Sequence, residues 1–365
     1  MKVLLIRSDM KLAGPARLML ASAEALRSLG VEVAFASGGG ALVEEAEARG
    51  FAHHLISALE LSNRSVTGSL KVAMALAGLV RRHGFDVVHS FNAHAGICAA
   101  PTRLLFGTRI VNTVLGVGKE HWNKYIPGTI IAVSDSVRQR LLAARVRDAK
   151  IRIVYNANLD ARFVLDDAGI TALMMARRQI APVTLVSVAM FTGQKGHERI
   201  LGFLRDFHAN RPDLDFRMVF VGDGVSRQAC ETMAAEYGLT GLVTFAGASD
   251  QVPDFLDRAH VFIHFPSSET FGMVLAEANA RALPVLAAKV GGIPEVIADG
   301  ETGFVVANDD TEGVMARLDQ LLGDDALRET LGRAGAERAR TLFHQDRLGE
   351  GLLAAYDSPR TPTRG

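Results

Sequence analysis

VFIHFPSSETFGMVLAEANARALPVLA, residues 261–287, reads as strand, turn, helix and strand. Val261–His264 is a short β-branched and aromatic run. Phe271–Arg281 is rich in Ala and Leu without an internal proline, and Val285–Ala287 is apolar again. A helix between two short buried strands is the β-α-β unit, whose strands run parallel with helices over both faces. The alternation continues in both directions. Upstream lie strand Val183–Ala189, helix His197–Asn210, strand Arg217–Val221, helix Ser226–Tyr237, strand Val243–Phe245 and helix Val252–Ala259. Downstream come helix Ile293–Ala298, strand Gly303–Val306 and helix Thr311–Leu322.

The first half repeats the scheme. Strands are expected at 2–6 (KVLLI), Val31–Ala36, Asp86–His89, Arg109–Val114, Thr129–Val133 and Ile151–Tyr155. Helices are expected at Arg17–Leu29, Leu42–Arg49, Leu70–Arg82, Ala95–Leu105 and Ser136–Arg145. Asn156 to Ala181 reads as the crossing between two series, with a helix at Thr171–Arg178. Gln345–Tyr356 is a last helix before a polar tail. The chain has 365 residues, enough for two domains of about 150. The expected division is residues 1–170, with a returning helix 341–358, and residues 171–340. The fold class is α/β, two doubly wound domains. Ligands of such sheets bind where strands end and helices begin, so two of them facing a cleft predict a two-substrate enzyme.

Composition narrows the class. Hydrophobic residues at 48% and charged residues at 22% describe an ordered globular chain. Cys98 and Cys230 are the only cysteines, which excludes a disulfide framework and a cysteine zinc site and suits a reducing cytoplasm. No apolar run is long enough for a secretory signal or a membrane span. The expected location is cytoplasmic, with peripheral attachment at the inner face of the membrane as the variant of that expectation. Net charge is zero, but residues 1–180 hold 23 Lys and Arg against 14 Asp and Glu, and residues 181–365 hold 17 against 26. The basic half suits an anionic membrane surface. Arg138, Arg140, Arg145, Arg147, Lys150 and Arg152 are its densest cluster, equally readable as a solvated helix. Nucleic acid is not expected, because aromatic residues are scarce there and the other half is acidic.

Glu269 and Glu277 are separated by seven residues, the first in a loop and the second on the helix that follows. The amides of Phe271, Gly272 and Met273 then open that helix, where phosphate oxygens bind readily. A carboxylate further along accepts two hydrogen bonds from a ribose diol. Taken alone, the spacing equally suits a helix-dipole partner and a solvated helix residue. Lys195, in Gln194-Lys195-Gly196-His197 after a strand, can neutralise a diphosphate leaving group. A lone Gly14 follows the first strand. No Gly-x-Gly-x-x-Gly, Walker motif or metal-spaced cluster is present.

The Glu-x7-Glu segment resembles that of the family 4 retaining glycosyltransferases of GT-B architecture. Phe220-Val221-Gly222-Asp223-Gly224, Val243-Thr244-Phe245-Ala246-Gly247 and Gly291-Gly292-Ile293-Pro294-Glu295 resemble further landmarks of its donor domain. Ile131-Ala132-Val133-Ser134 and Val154-Tyr155-Asn156-Ala157 are similar to landmarks of its first domain. The resemblance implies a nucleotide-diphosphate-sugar donor and no metal or other cofactor. Its donor site would use Gly14, Lys195, Gly222, Glu269, Phe271, Gly272, Met273 and Glu277. The acceptor it implies is a glycan or lipid-linked sugar. Two positions depart from the family pattern. Met190 stands where the family usually has an arginine, and Leu115 where it often has a histidine near the transferred sugar. His94 is the candidate to replace that histidine, ahead of His89 and His121, which makes Glu269, Lys195 and His94 the expected catalytic residues. A relative that binds nucleotide sugar without transferring it, and a sugar-nucleotide epimerase of the same architecture, are the alternatives.

Overall fold

The computed structural model describes residues 1–11, 14–116, 118–157, 159 and 161–357. The chain divides into two compact units, Met1–Asn158 with Gln345–Gly365, and Leu159–His344. The helix Asp167–Arg177 therefore belongs wholly to the second unit, which starts earlier than the expected residue 171.

The first unit holds seven strands: β1 (Lys2–Ile6), β2 (Glu32–Ser37), β3 (Ala52–Leu55), β4 (Val87–Ser90), β5 (Arg109–Val114), β6 (Thr129–Ala132) and β7 (Ile151–Ile153). They form one parallel sheet in the order β3-β2-β1-β4-β5-β6-β7. The middle strands are buried on both faces; Val3, Leu4, Leu5 and Ile6 have no exposed surface. Asn92 caps the helix Ala93–Cys98 and Ser134 caps Asp135–Ala143, each accepting from the amide three residues on. The helix expected at Ala95–Leu105 is two, Ala93–Cys98 and Ala100–Phe106, with Pro101 in the first turn of the second. The last helix, Gln345–Asp357, packs on Gly14–Ser28. Its buried Tyr356 hydroxyl lies 2.8 Å from His89 Nδ1.

The second unit holds β8 (Val183–Val188), β9 (Phe216–Val221), β10 (Val243–Gly247), β11 (Val261–His264), β12 (Val285–Ala288) and β13 (Gly303–Val306). They are parallel in the order β10-β9-β8-β11-β12-β13. In both sheets the strand order reverses once, between β1 and β4 and between β8 and β11. That reversal opens a crevice at the carboxyl ends of the two strands.

Candidate active site

The loops that leave β8 and β11 meet at the second unit's crevice. Lys195 comes from the first and Glu269 from the second, and Nζ lies 2.8 Å from Oε2. The Glu269 side chain is 12% exposed and that of Lys195 31%. Thr270 N donates to Glu269 Oε1 at 3.1 Å. The loop after β12 passes directly beneath: Gly292 N donates to Glu269 O, and a Cβ on Gly291 would sit 1.7 Å from that carbonyl. With φ at 55°, only glycine fits position 291. The Gly-Gly pair thus holds the main chain of the glutamate in place.

Burial pushes the Glu269 carboxyl up, but His264 and the Lys195 ammonium outweigh it and hold it at about 2. Glu269 is therefore ionised at neutral pH. His264, at the end of β11, is 1% exposed, and its Nε2 stands 3.7 Å from Glu269 Oε2, beyond hydrogen-bond length. Burial lowers its pKa, against the raising effect of Glu269. His197 follows Lys195, stacks on Phe191 at 3.9 Å between ring centroids and is pushed down to about 4, mainly by burial. Among the described residues no ring nitrogen of either histidine has a hydrogen-bond partner. Sequence reading did not single out these two; the signal available was a histidine ending an otherwise apolar strand.

The helix after Glu269 runs Met273–Ala280, two residues later than expected, with Gly272 as its cap in the left-handed region. Phe271 lies just before the helix, its side chain buried against Phe343. Glu277 lies one turn into the helix and is half-buried. Gly222 follows β9 at φ 142°, and a Cβ there would meet Ala189 O at 2.0 Å. Its smallness joins the loops after β8 and β9. Met190, in the loop after β8, is 66% exposed.

A second cavity in this unit, ≈ 550 Å³, opens at the opposite end of the sheet, beside Pro182, His260 and Pro284, which precede β8, β11 and β12. Arg177, on its wall, donates to the carbonyls of Leu256, Asp257, Arg281 and Ala282. That arginine staples loops together, and this is the wrong end of a parallel sheet for a substrate.

In the first unit a cavity of ≈ 580 Å³ sits at the carboxyl ends of β4 and β5, lined among others by Arg7, Arg64, His94, Leu115, Lys119 and Trp122. His94 Nε2 lies 3.2 Å from Ser69 Oγ, and burial followed by Arg64 lowers its pKa. His89 is a structural residue: it is fully buried between Tyr356 and Thr113, and burial pushes it down to about 3. His121 is exposed beside Trp122. Gly14 is the first residue of a helix, and a Cβ there would meet nothing. Packing does not require glycine at that position.

Two family models match this chain in tandem, Glycosyltransferase Family 4 over residues 12–157 and Glycosyl transferases group 1 over residues 178–338. The chain belongs to the group 1, family 4 glycosyltransferases. It is 28% identical over 306 residues to N-acetyl-alpha-D-glucosaminyl L-malate synthase of Bacillus anthracis, covering 79% of this chain and 78% of that one. It is also 28% identical over 317 residues to D-inositol 3-phosphate glycosyltransferase of Acidothermus cellulolyticus, covering 78% and 70%. Anabaena HepE, solved in complex with UDP, shares 17% identity at a TM-score of 0.82 over 98% of this chain and 100% of that chain. That likeness is one of fold, GT-B.

Two cations of the basic cluster of this glycosyltransferase pair with carboxylates of their own domain. Arg138 pairs with Asp135 and Asp148, and Arg140 with Glu120 at 2.7 Å. Lys150 donates to Ile126 O and Arg152 to Ala149 O and Ile151 O. Arg138 and Arg140 thus meet carboxylates, whereas a carbonyl contact leaves the charge of Lys150 in place.

Proposed function

We propose that this glycosyltransferase moves a sugar from a nucleotide-diphosphate sugar to an acceptor hydroxyl with retention of configuration. The observation that carries the reading is the Lys195–Glu269 pair at the crevice between β8 and β11, followed by the helix bearing Glu277. Lys195 faces the diphosphate, the amides of Gly272 and Met273 take phosphate oxygens, Glu269 takes hydroxyls of the transferred sugar and Glu277 the ribose diol. Glu269 is already ionised, and in the unliganded site Lys195 is its counter-ion. Donor phosphates then compete with Glu269 for Lys195, which frees carboxylate oxygens for sugar hydroxyls.

In the transfer the acceptor oxygen bonds to the anomeric carbon as the bond from that carbon to the phosphate oxygen breaks. The electron pair leaves with the nucleoside diphosphate, and the acceptor proton passes to the departing phosphate oxygen on the same face. No protein nucleophile is needed, so Leu115 is no obstacle. The reading calls on no metal; Lys195 and the helix amides meet the leaving group's charge. His94 keeps the weaker claim to a catalytic role, as its Nε2 already faces Ser69. Release of sugar from UDP-, GDP-, ADP- and CMP-sugars, with and without cell-envelope acceptors, tests the reading and separates it from an epimerase, which converts donor without acceptor.

Contact with an anionic bilayer is a second reading, favoured by a different face from the one the sequence suggested. Val66, Leu70 and Met74 form an i, i+4, i+8 row on the helix Val66–His83, with exposures of 88, 60 and 58%. The helix that packs beside it exposes Leu104 at 85% and Leu105 at 64%. Residues 61–119 hold seven Lys and Arg and a single acid, Asp86. An apolar row with a basic surround is the chemistry of a peripheral membrane face. Among the described residues no helix is long and apolar enough to cross a membrane.

A further inference from the structure

The first unit's cavity lies at that unit's own crevice: Arg7 follows β1, Asn92 and His94 follow β4, and Leu115, Gly116 and Lys119 follow β5. Three cations line it, Arg7, Arg64 and Lys119, and among the described residues no Asp or Glu does. Arg7 has an ion-pair partner in Asp9, whose Oδ1 is 3.9 Å from its Nε, within ion-pair distance but too far for a hydrogen bond. Arg7 is otherwise held by carbonyls, donating to Asp9 O and Phe91 O. Arg64 donates to the Ser8 hydroxyl, which also accepts from Asn92. Glu120, next to Lys119 in sequence, is paired with Arg140. Among the described residues neither Arg64 nor Lys119 has a carboxylate within ion-pair distance. Burial lowers the pKa of Arg7 most, Asp9 raises it, and Arg64 lowers it by less than Asp9 raises it, which places the two guanidinium groups near one another.

Like charges gathered around a concave, partly desolvated surface repel one another, and a cavity focuses their field on whatever enters. A neutral glycan would leave that repulsion standing. A phosphate or carboxylate relieves it and accepts charge-assisted hydrogen bonds from guanidinium and ammonium donors. We propose that this cavity binds an anionic group of the acceptor, a phosphate or carboxylate held by Arg64 and Lys119 with Arg7 behind them. The assignment rests on the transfer reading for the word acceptor; the anion site itself does not. Trp122, 47% exposed on the same wall, offers an apolar face to the rest of the acceptor.

Trp122 is the only tryptophan of the chain, so its fluorescence reports occupancy of this cavity. The full chain is titrated with sn-glycerol 3-phosphate, L-malate and glycerol, and separately with vesicles of phosphatidic acid in phosphatidylcholine or of phosphatidylcholine alone. The expected result is a saturable change with at least one anion and none with glycerol or neutral vesicles. A response to the soluble anions marks a soluble acceptor, and one confined to phosphatidic acid marks a lipid headgroup. Arg64→Gln and Lys119→Gln should each weaken the anion about tenfold. UDP binding by calorimetry is measured on the same samples and should stay at the wild-type value, which also shows that the variants are folded. An equal response to glycerol, no response to any anion, or wild-type affinity in both variants overturns the proposal. Anion binding without UDP binding or sugar release would instead strike the transfer reading and leave this site standing.

Discussion

Lys195 Nζ and Glu269 Oε2 are 2.8 Å apart at the point where the strand order of the second sheet reverses. Seventy-four residues separate them in sequence, and the two loops that carry them leave adjacent strands. The pair is the site's own ground state: a buried carboxylate ionised well below its usual range, its counter-ion the cation needed by a leaving phosphate.

Replacing Lys195 by Gln therefore has two expected effects. Negative charge grows on the diphosphate as the glycosidic bond breaks, so kcat should fall by about 10²–10³ while the donor KM changes less. Glu269 loses its cation as well, and its pKa should rise. Steady-state kinetics across pH checks both: the variant's acid limb should move to higher pH.

Met190 leaves the loop after β8 short of charge. Met190→Arg is expected to tighten nucleoside diphosphate binding by up to about tenfold, the scale of one charge-assisted contact. Calorimetry with UDP and GDP reads this directly. Unchanged affinity would mean that the charge is already supplied elsewhere in the site.

Three helices show why part of the fold was legible and part was not. His197–Asn210 is found at the bounds its pattern predicts, because Ile200, Leu201, Leu204 and Phe207 give it a plain apolar face. Asp325–Leu342, 18 residues long, was not foreseen at all. Apart from Leu331 and Arg328 its buried face is made of small residues, Gly332, Gly335, Ala336 and Ala339, packed close against the helix Met273–Ala280. A Cβ on Gly332 would meet Ala282 O at 2.3 Å. Small residues and a buried Arg328 disguise that face as a polar stretch. The third, Ala100–Phe106, was read as a continuation of its neighbour. Strand β3 was missed for a related reason: Ala52-His53-His54-Leu55 carries no β-branched residue and only half-buried histidines. At the candidate site, the Glu269–Glu277 spacing is local and can be read along the chain, whereas the meeting of Glu269 with Lys195 depends on the pairing of β8 with β11. His264 and the Arg7, Arg64 and Lys119 cluster were not legible, because pairing of β1, β4, β5, β8 and β11 across long sequence separations brings them into place.

The buried histidines make stability depend on acid. His197 and His89 have folded-state values of about 4 and about 3 against 6.5 unfolded. Below pH 6.5 the unfolded chain takes up protons that the folded chain refuses. Stability should thus be complete above pH 6.5 and fall by about 1.4 kcal/mol per pH unit for each group until the folded value is reached. Glu269 adds a loss only below about 4.5, as pH falls toward its folded value of about 2. Thermal melts between pH 7 and 4 check this, and His197→Phe, which keeps the stack on Phe191, should flatten the slope.

The apolar row on Val66–His83 predicts binding to vesicles that rising salt reduces but does not abolish, since insertion of Val66, Leu70 and Met74 adds to charge attraction. Changing the three to Ser should remove sedimentation with anionic vesicles, while Arg138→Gln and Arg140→Gln should leave it nearly intact. If the row instead joins two copies of the chain, the Ser variant will change the sedimentation coefficient and not the vesicle binding.

The central claim is that the second unit holds a nucleotide-diphosphate sugar with Glu277 on its ribose. Calorimetric titration of the wild type and Glu277→Ala with UDP, GDP, ADP and CDP tests it most directly. The account predicts that at least one nucleoside diphosphate binds the wild type. It predicts that Glu277→Ala weakens that nucleotide by about 10- to 150-fold, equivalent to ~1.5–3 kcal/mol for a charged hydrogen-bond acceptor. Binding of none of the four, or equal affinity in the two proteins, would contradict it.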